Sequence, residues 1–221
     1  MKAIVLLSGG LDSTVCMSVA QQAGYETVPI SFDYGQRHFR ELACARAVAD
    51  FYRVKKHVLI ETNMRAIGGS ALTDDIEVPA GDEQRQDVPV TYVPARNLIF
   101  LSYALGLAEV EKAEKIYIGV NAMDYSGYPD CRPEFIQKFQ QVADYATKAG
   151  IEEKKISLET PLQYLSKAQI VALGMKNGAP LHLTTSCYQG GEEACGVCDS
   201  CLLRLKGFRE AGFADPIKYK K

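Results

Sequence analysis

Two groups of residues in this sequence have types and spacing that suit chemistry. Residues 8–13 read Ser-Gly-Gly-Leu-Asp-Ser, and four cysteines crowd together near the carboxyl end. Glycines let backbone N–H groups approach an anion closely, and hydroxyl side chains add further donors. Four thiolates can enclose a metal ion. The sequence therefore offers one candidate anion site and one candidate metal site.

The elements around residues 8–13 favour an anion there. Residues 2–7 are a short aliphatic run that predicts a buried strand, and residues 12–23 have the apolar spacing of a helix. A helix that starts directly after the turn adds unpaired N–H groups and the positive end of its dipole. A bare strand-to-helix turn that needs glycines is the alternative. We predict that the whole hexapeptide binds phosphate groups, through Ser8, Gly9, Gly10, Leu11, Asp12 and Ser13.

The hexapeptide differs from two common phosphate loops. No Gly-Lys-Ser/Thr follows it, so it is not a Walker A loop, and it lacks the Gly-x-Gly-x-x-Gly of dinucleotide folds. Asp12 would repel a bare phosphate. Its presence indicates a bound Mg²⁺ or a contact made away from the anion.

The rest of the chain alternates between strand-like and helix-like segments. Strands are predicted over residues 26–32, 56–60, 115–120 and 156–158, and helices over residues 37–52, 95–112, 133–149 and 166–176. This alternation predicts an α/β fold with a Rossmann-like parallel sheet and helices on both faces. Ligands bind such sheets at the carboxyl ends of the strands. Residues 61–93 lack clear periodicity, and a loop of that length is usually functional or mobile.

Two basic residues are candidates for catalysis. Arg96 stands at a predicted helix start after Pro94, where it could pair with a phosphate or a substrate carboxylate; a surface ion pair is the alternative. Lys167 stands at the start of another predicted helix and could reach a phosphate. A solvated first-turn lysine is the alternative there.

A polar loop after the fourth predicted strand suits recognition of a base. It contains Asp124, Tyr125, Tyr128 and Asp130. Carboxylates accept N–H donors, and tyrosine rings stack on heterocycles. Ordinary loop capping is the alternative. We predict that these four residues bind substrate.

The cysteine cluster has the spacing Cys-x₇-Cys-x₂-Cys-x₂-Cys, formed by Cys187, Cys195, Cys198 and Cys201. Four thiolates match a closed structural Zn²⁺ site, so zinc would fold this segment and not activate water. An iron–sulfur cluster is the rival, although no Cys-Pro follows Cys201 at ferredoxin spacing. Unligated thiols are the remaining alternative.

Composition narrows the function classes. The 221 residues carry a net charge of −2, so no overall basic field favours nucleic acid. No stretch approaches the roughly 20 apolar residues that cross a bilayer, and the amino-terminal apolar run is too short for a signal peptide. We expect a cytoplasmic protein that binds neither nucleic acid nor membrane.

Ser-Gly-Gly-x-Asp-Ser after a first strand resembles the loop of the PP-loop ATP pyrophosphatases, whose fold is adenine nucleotide alpha hydrolase-like. Members typically adenylate an acyl or imidoyl oxygen, release pyrophosphate, and let a nucleophile displace AMP. Three more segments are similar to the 7-cyano-7-deazaguanine synthase family. These are Phe-Asp-Tyr-Gly-Gln-Arg-His at residues 32–38, Val-Pro-Ala-Arg-Asn at 93–97, and the Asp-Tyr-Ser-Gly-Tyr-Pro-Asp-Cys-Arg-Pro run at 124–133.

The resemblance implies an enzyme that converts 7-carboxy-7-deazaguanine and ammonia to a nitrile with ATP and Mg²⁺. It implies catalytic roles for Asp12, Arg96 and Lys167, a homodimer, an ATP and substrate domain over residues 1–184, and a zinc-binding helical segment over residues 185–221. No glutaminase domain fits in this length, so free ammonia is expected. The alternatives are a PP-loop tRNA sulfur transferase and a nucleotide binder without catalysis.

Overall fold

A computed structural model describes residues 1–36, 40–81, 87–123, 128–152 and 154–220. The strands of this part of the chain are β1 Lys2–Leu6, β2 Glu26–Asp33, β3 Val58–Glu61, β4 Lys115–Tyr117 and β5 Ser157–Glu159. Its α-helices are α1 Leu11–Gln22, α2 Arg40–Phe51, α3 Arg96–Glu111, α4 Pro133–Ala146, α5 Lys148–Ile151, α6 Lys167–Lys176 and α7 Asp199–Glu210.

The strands form one parallel sheet in the order β3-β2-β1-β4-β5. The chain leaves β1 toward β2 on one side and returns to β4 on the other. The carboxyl ends of β1 and β4 therefore flank the point where strand order reverses, which is where open α/β sheets bind ligands. The loops after β1 and β4 face each other there.

Side-chain alternation along β1 supplies both faces of the sheet. Ile4 and Leu6 belong to a core with α3 and α4, while Ala3 and Val5 belong to a core with α1, α2 and α6. Both faces are covered because every second residue of a strand points to the same side. The predicted α/β architecture with helices on both faces is confirmed.

The predicted helix over residues 133–149 is two helices, α4 and α5. Thr147 is extended between them, with φ −123° and ψ 152°. Its hydroxyl donates to the Ala143 carbonyl at 2.8 Å and accepts the Gly150 N–H at 2.9 Å. A Cβ on Gly150 would lie 2.0 Å from the Asp144 carbonyl oxygen. This capping threonine and close-packed glycine interrupt the helical pattern.

Some of the described residues of the long loop over residues 61–93 pack against the core, while others are exposed. Met64, Ala71 and Val93 are buried, and the Ala71 N–H donates to the Val90 carbonyl at 2.8 Å. Leu72 lines the cavity beside residues 8–13. The segment therefore contributes to both core and cavity.

The carboxyl-terminal segment packs on the sheet domain through α7. Phe208 is 1% exposed within the core on the α1 side, and a Cβ on Gly207 would lie 2.4 Å from the Lys167 side chain. Helices α6 and α7 therefore approach closely. No helix in the described part of the chain is long and apolar enough to cross a membrane.

Candidate functional site

Residues 8–13 form a compact turn between β1 and α1. The Ser8 and Ser13 hydroxyl oxygens are 3.0 Å apart, and the Gly10 N–H donates to the Ser8 hydroxyl at 3.2 Å. The Ser13 hydroxyl lies 3.1 Å from the Gly10 carbonyl, to which it donates. Helix α1 begins at Leu11, so the N–H groups of its first turn have no intrahelical acceptor. The turn thus gathers donors at the positive end of a helix dipole, an arrangement that suits an anion.

Close packing requires glycine at two positions, one within this turn and one in a loop that lies against it. Gly9 has φ +83°, and a Cβ there would lie 2.2 Å from the Glu41 carbonyl oxygen and 2.6 Å from the Ala45 nitrogen of α2. Gly119, in the loop after β4, would place a Cβ 3.1 Å from the Asp12 carbonyl. The backbones of α2 and of the loop after β4 therefore pack on the turn with no space for a side chain at either glycine.

Asp12 and Lys167 form an ion pair at the edge of the turn. The Lys167 Nζ lies 2.9 and 2.8 Å from the two carboxylate oxygens of Asp12. The side chains are 10% and 25% exposed, for Lys167 and Asp12 respectively. Ser166 and Gln169 form a capping box that fixes the start of α6, and Gly207 leaves the space that Lys167 occupies. Lys167 is therefore a buried member of the site and not a solvated lysine.

Arg96 is the first residue of α3, which packs on the other face of the sheet from α1 and α6. The preceding Ala95 has φ +55°, a left-handed conformation that is uncommon for alanine. The Arg96 Nη1 donates to the Tyr34 hydroxyl at 3.4 Å, and the guanidinium carbon lies 5.9 Å from the centre of the Tyr34 ring. Arg96 is half-buried and lines the cavity. This location does not match the alternative of a surface ion pair.

Asp130 contacts the amino end of α3. Its carboxylate accepts the Asn97 N–H at 2.9 Å, and its carbonyl accepts from the Asn97 side chain at 3.3 Å. Burial raises the pKa of the Asp130 carboxyl, and the Asn97 N–H and the nearby Arg96 partly oppose that rise. Asp130 is 7% exposed and is not among the described residues that line the cavity. Its direct contact with substrate remains a prediction.

Tyr128 lies on the cavity wall, and its hydroxyl is 3.0 Å from the Thr91 hydroxyl. The rings of Tyr92 and Tyr128 are 5.7 Å apart at 44°. Asp124 and Tyr125, the other two predicted substrate residues, lie outside the described residues.

The turn over residues 8–13, which we name the phosphate turn after its predicted ligand, borders one cavity of about 250 Å³ together with the Asp12–Lys167 pair and Arg96. Phe32 and Phe100 form part of its wall, with rings stacked 3.8 Å apart. Glu41 also lines it, and burial raises the pKa of this carboxyl while Arg96 opposes the rise. An aromatic wall beside donors and charges suits a heterocycle that carries anionic groups.

The carboxyl-terminal segment supplies another wall of the cavity, which sequence reasoning missed. The residues that contribute are Thr185, Ser186, Tyr188, Ser200, Leu203 and Arg204. Tyr188 and Ser200 directly neighbour cysteines of the cluster. The only local sequence signal for this wall is that two of its residues adjoin cysteines. The sequence pattern of α7 does not distinguish an arginine that faces the cavity from an exposed one.

The four clustered cysteines are brought together as predicted. The sulfur atoms of Cys187, Cys195, Cys198 and Cys201 all lie within 4.8 Å of one another. Tetrahedral Zn–S bonds of about 2.3 Å place sulfurs about 3.8 Å apart, and the Cys195 and Cys201 sulfurs are separated by 3.9 Å. The N–H groups of Val197 and Cys198 both point to the Cys195 sulfur at 3.4 Å. The cluster fits a metal ion held by four thiolates.

Comparison with known families identifies the chain. The model of the family described as queuosine biosynthesis protein QueC matches residues 2–212. The chain belongs to the QueC family. Similar curated proteins include the 7-cyano-7-deazaguanine synthase 2 of Desulfitobacterium hafniense strain Y51, 65% identical over 99% of this chain and 93% of the relative. The 7-cyano-7-deazaguanine synthase of Acetivibrio thermocellus is 59% identical over 99% of this chain and 97% of the relative.

Solved structures support the fold. A 4-thiouridine synthetase, in an RNA complex with bound ATP, is 19% identical with a TM-score of 0.51 over 99% of this chain and 47% of that one. The NMN synthetase of Francisella tularensis is 15% identical with a TM-score of 0.50 over 96% of this chain and 87% of that one. At these identities the likeness concerns the fold alone.

Proposed function

We propose that this QueC-family chain is a 7-cyano-7-deazaguanine synthase that makes its product from 7-carboxy-7-deazaguanine, ammonia and ATP. ATP adenylates the substrate carboxylate and pyrophosphate leaves. Ammonia then displaces AMP to give an amide. A second ATP adenylates the amide oxygen, with release of a second pyrophosphate and a proton, and loss of AMP and another proton gives the nitrile.

The convergence of the phosphate turn and the Asp12–Lys167 pair on one cavity carries this proposal. Adenylation requires a carboxylate oxygen in line with the α-phosphorus, so the enzyme's contribution is positioning and charge stabilisation. The N–H and hydroxyl donors of residues 8–13 hold the β- and γ-phosphates as pyrophosphate departs. Lys167 lies close enough to the turn to share its charge between Asp12 and a phosphate.

Mg²⁺ accompanies ATP in this proposal. Asp12 and the Ser13 hydroxyl are oxygen donors at the turn, the type of ligand that Mg²⁺ prefers. When bound, Mg²⁺ neutralises phosphate charge. The residues of the chain fix where that charge sits.

Arg96 would pair with the substrate carboxylate or with a phosphate from the start of α3. Tyr128 or Tyr125 would stack on the deazaguanine ring, and Asp124 remains a predicted partner of its N–H edge. Asp130 would act on substrate through α3, because its carboxylate holds the Asn97 N–H beside Arg96.

We further propose that the cysteine cluster binds a structural Zn²⁺. All four thiolates are committed to such an ion, which would leave no coordination position for water. Metal analysis and the colour of the purified protein separate zinc from an iron–sulfur cluster. In functional terms, residues 1–184 bind ATP and substrate, and residues 185–221 bind the metal and close one cavity wall.

A homodimer that uses free ammonia completes the proposal. Val110, Tyr145 and Ile151, on α3, α4 and α5, are 76%, 86% and 79% exposed, and apolar residues of this kind are common at subunit interfaces. Sedimentation velocity of the wild-type chain and of Tyr145→Lys tests the dimer.

The tRNA sulfur transferase alternative has less support. The relatives quoted above are named 7-cyano-7-deazaguanine synthases, and the net charge of −2 offers no general attraction for RNA. The non-catalytic nucleotide binder also has less support, because these relatives are named as synthases.

A product assay tests the proposed function. The purified chain is incubated with ATP, Mg²⁺, ammonium and 7-carboxy-7-deazaguanine, and products are identified by mass spectrometry. Nitrile with AMP and pyrophosphate is the expected result. AMP release only with tRNA and a sulfur donor would move the chain to thiolation, and no AMP release with any acceptor would leave a nucleotide binder.

A further inference from the structure

Arg204, on α7, is the largest charged side chain in the buried core of the described residues, at 1% exposure. Its Nε and Nη2 donate to the two carboxylate oxygens of Asp215 at 2.8 and 3.0 Å. The two side chains are 2% and 5% exposed. A two-pronged pair of this kind fixes orientation as well as charge. The Arg204–Asp215 pair links α7 to residues 211–220, the carboxyl-terminal tail that follows this helix.

The tail holds the acceptor in place. The Tyr219 hydroxyl donates to Asp215 Oδ2 at 2.7 Å, and the Ile217 N–H donates to Oδ1 at 3.2 Å. The Asp215 carboxylate therefore receives hydrogen bonds from the tail on the oxygens that bind Arg204. Its position does not depend on Arg204 alone.

The remaining donors of Arg204 reach the segment just before the cysteine cluster. Nη1 donates to the Thr184 hydroxyl at 2.7 Å and to the Ser186 hydroxyl at 3.4 Å. Nη2 also donates to the Leu181 carbonyl at 3.2 Å. One guanidinium therefore holds residues on both sides of Thr185.

Thr185 in turn holds the phosphate turn. Its N–H donates to the Gly9 carbonyl at 3.0 Å. The Gly9 carbonyl and the Gly10 N–H belong to one planar peptide, so fixing the carbonyl also fixes the direction of that N–H. The Gly10 N–H is directed at the Ser8 hydroxyl at 3.2 Å. Because Gly9 and Gly10 have no side chains to restrain them, this contact from outside the turn is one of the restraints on how the peptide is oriented.

We propose that Arg204 and Asp215 are positioning residues for the phosphate turn, acting through Thr185 on the Gly9–Gly10 peptide. The pair makes the affinity for the triphosphate of ATP depend on the carboxyl-terminal tail. The inference rests on the proposed function only in taking ATP as the ligand. It does not depend on which product the enzyme makes. Neither side chain needs to touch substrate for this role.

The test measures binding of a non-hydrolysable ATP analogue with Mg²⁺ by titration calorimetry, without a second substrate. Asp215→Asn removes the charge that compensates Arg204 and is expected to weaken binding by about tenfold or more, the effect of one charged hydrogen bond. Asp215→Glu keeps the carboxylate and should recover part of the affinity. In steady-state turnover, Asp215→Asn should raise the KM for ATP and leave the KM for the deazaguanine nearly unchanged.

A second variant covers the case in which Asp215→Asn does not fold. Tyr219→Phe deletes one hydrogen bond to Asp215 and should weaken the analogue by about two- to fivefold. Glu111→Gln is the matched control, since it breaks the ion pairs of Glu111 with Lys2 and Lys56, and none of these three lines the cavity. It should change stability without changing affinity.

The outcomes separate the two proposals. Wild-type affinity in folded Asp215→Asn or, if that variant does not fold, in Tyr219→Phe would overturn the positioning role while leaving the proposed function intact. Equal weakening in Glu111→Gln would overturn it as well, because loss of stability alone would then explain the effect. A wild-type chain that binds no ATP analogue would overturn the proposed function, and this inference with it.

Discussion

The ammonium group of Lys167 lies 2.9 and 2.8 Å from the two carboxylate oxygens of Asp12, although 155 residues separate them in the chain. The pair lies at the edge of the phosphate turn, where a departing pyrophosphate would place new negative charge. Each side chain restrains the position of the other. We propose that the two residues act as one functional unit and not as two independent charges.

We therefore expect Asp12→Asn and Lys167→Gln each to lower kcat/KM for ATP by about 100-fold or more, in the range seen when one stabilising group is lost. Since the two side chains contact each other, the double variant should lose less than the product of the single losses. Steady-state kinetics of the three variants measures this. Lys148→Gln, in an exposed ion pair, serves as the control. Simple multiplication of the single losses would show that the pair does not act as a unit.

Gly9→Ala should abolish detectable ATP binding because the new Cβ would overlap the Glu41 carbonyl oxygen at 2.2 Å, in backbone with φ +83°. Gly24→Ala is the matched comparison, with φ +80° and nothing within 4 Å of the added Cβ. It should cost about 1–2 kcal/mol of stability from backbone strain alone and leave binding unchanged. Thermal unfolding and calorimetry on both variants separate the clash from the strain. Normal ATP binding by Gly9→Ala would contradict the tight contact with α2.

Cys198→Ser should lose its metal and much of its stability, because the fold of the carboxyl-terminal segment is coupled to four intact thiolates. Cavity-lining Tyr188 and Ser200 neighbour the cluster, so ATP affinity should fall as well. Elemental analysis and calorimetry measure both effects. Cys44→Ser, outside the cluster, should retain the metal. A stable, metal-free Cys198→Ser protein with normal affinity would rule out a structural metal.

The lowered pKa of Glu111 predicts part of the loss of folding stability at acidic pH. Hydrogen bonds from Lys2 and Lys56 lower the pKa of its carboxyl from 4.5 to about 2. A pKa that is lower in the folded state contributes stability above the unfolded value, and that stability is lost as pH falls through the folded value. At pH 7 the melting temperature of the wild-type chain should therefore be higher than that of Glu111→Gln. This difference in melting temperature should shrink as the pH falls from 4.5 to 2. Melting curves at several pH values test this; a difference that grows on acidification would reverse the assigned direction.

Local sequence patterns were sufficient for the turn and for the cysteine cluster. Both are encoded by neighbours within a few residues. Glycines and hydroxyls define a turn before a helix, and cysteine spacing defines how far four sulfurs can separate. Strand and helix alternation likewise predicted a parallel sheet, because the periods of apolar residues differ between the two kinds of element.

Only the tertiary structure decided which distant residues meet at the turn. The order β3-β2-β1-β4-β5 places the loops after β1 and β4 side by side, and the close packing of α6 against α7 buries Lys167 on Asp12. Arg204 sits in α7 with no distinguishing local pattern, yet it contacts Asp215 and the segment that holds Gly9. Such contacts depend on how whole elements pack, and packing is set by the entire core and not by neighbours in sequence. The sequence alone therefore predicted the kind of chemistry and candidate residues for it, while the fold determined which of those side chains lie together.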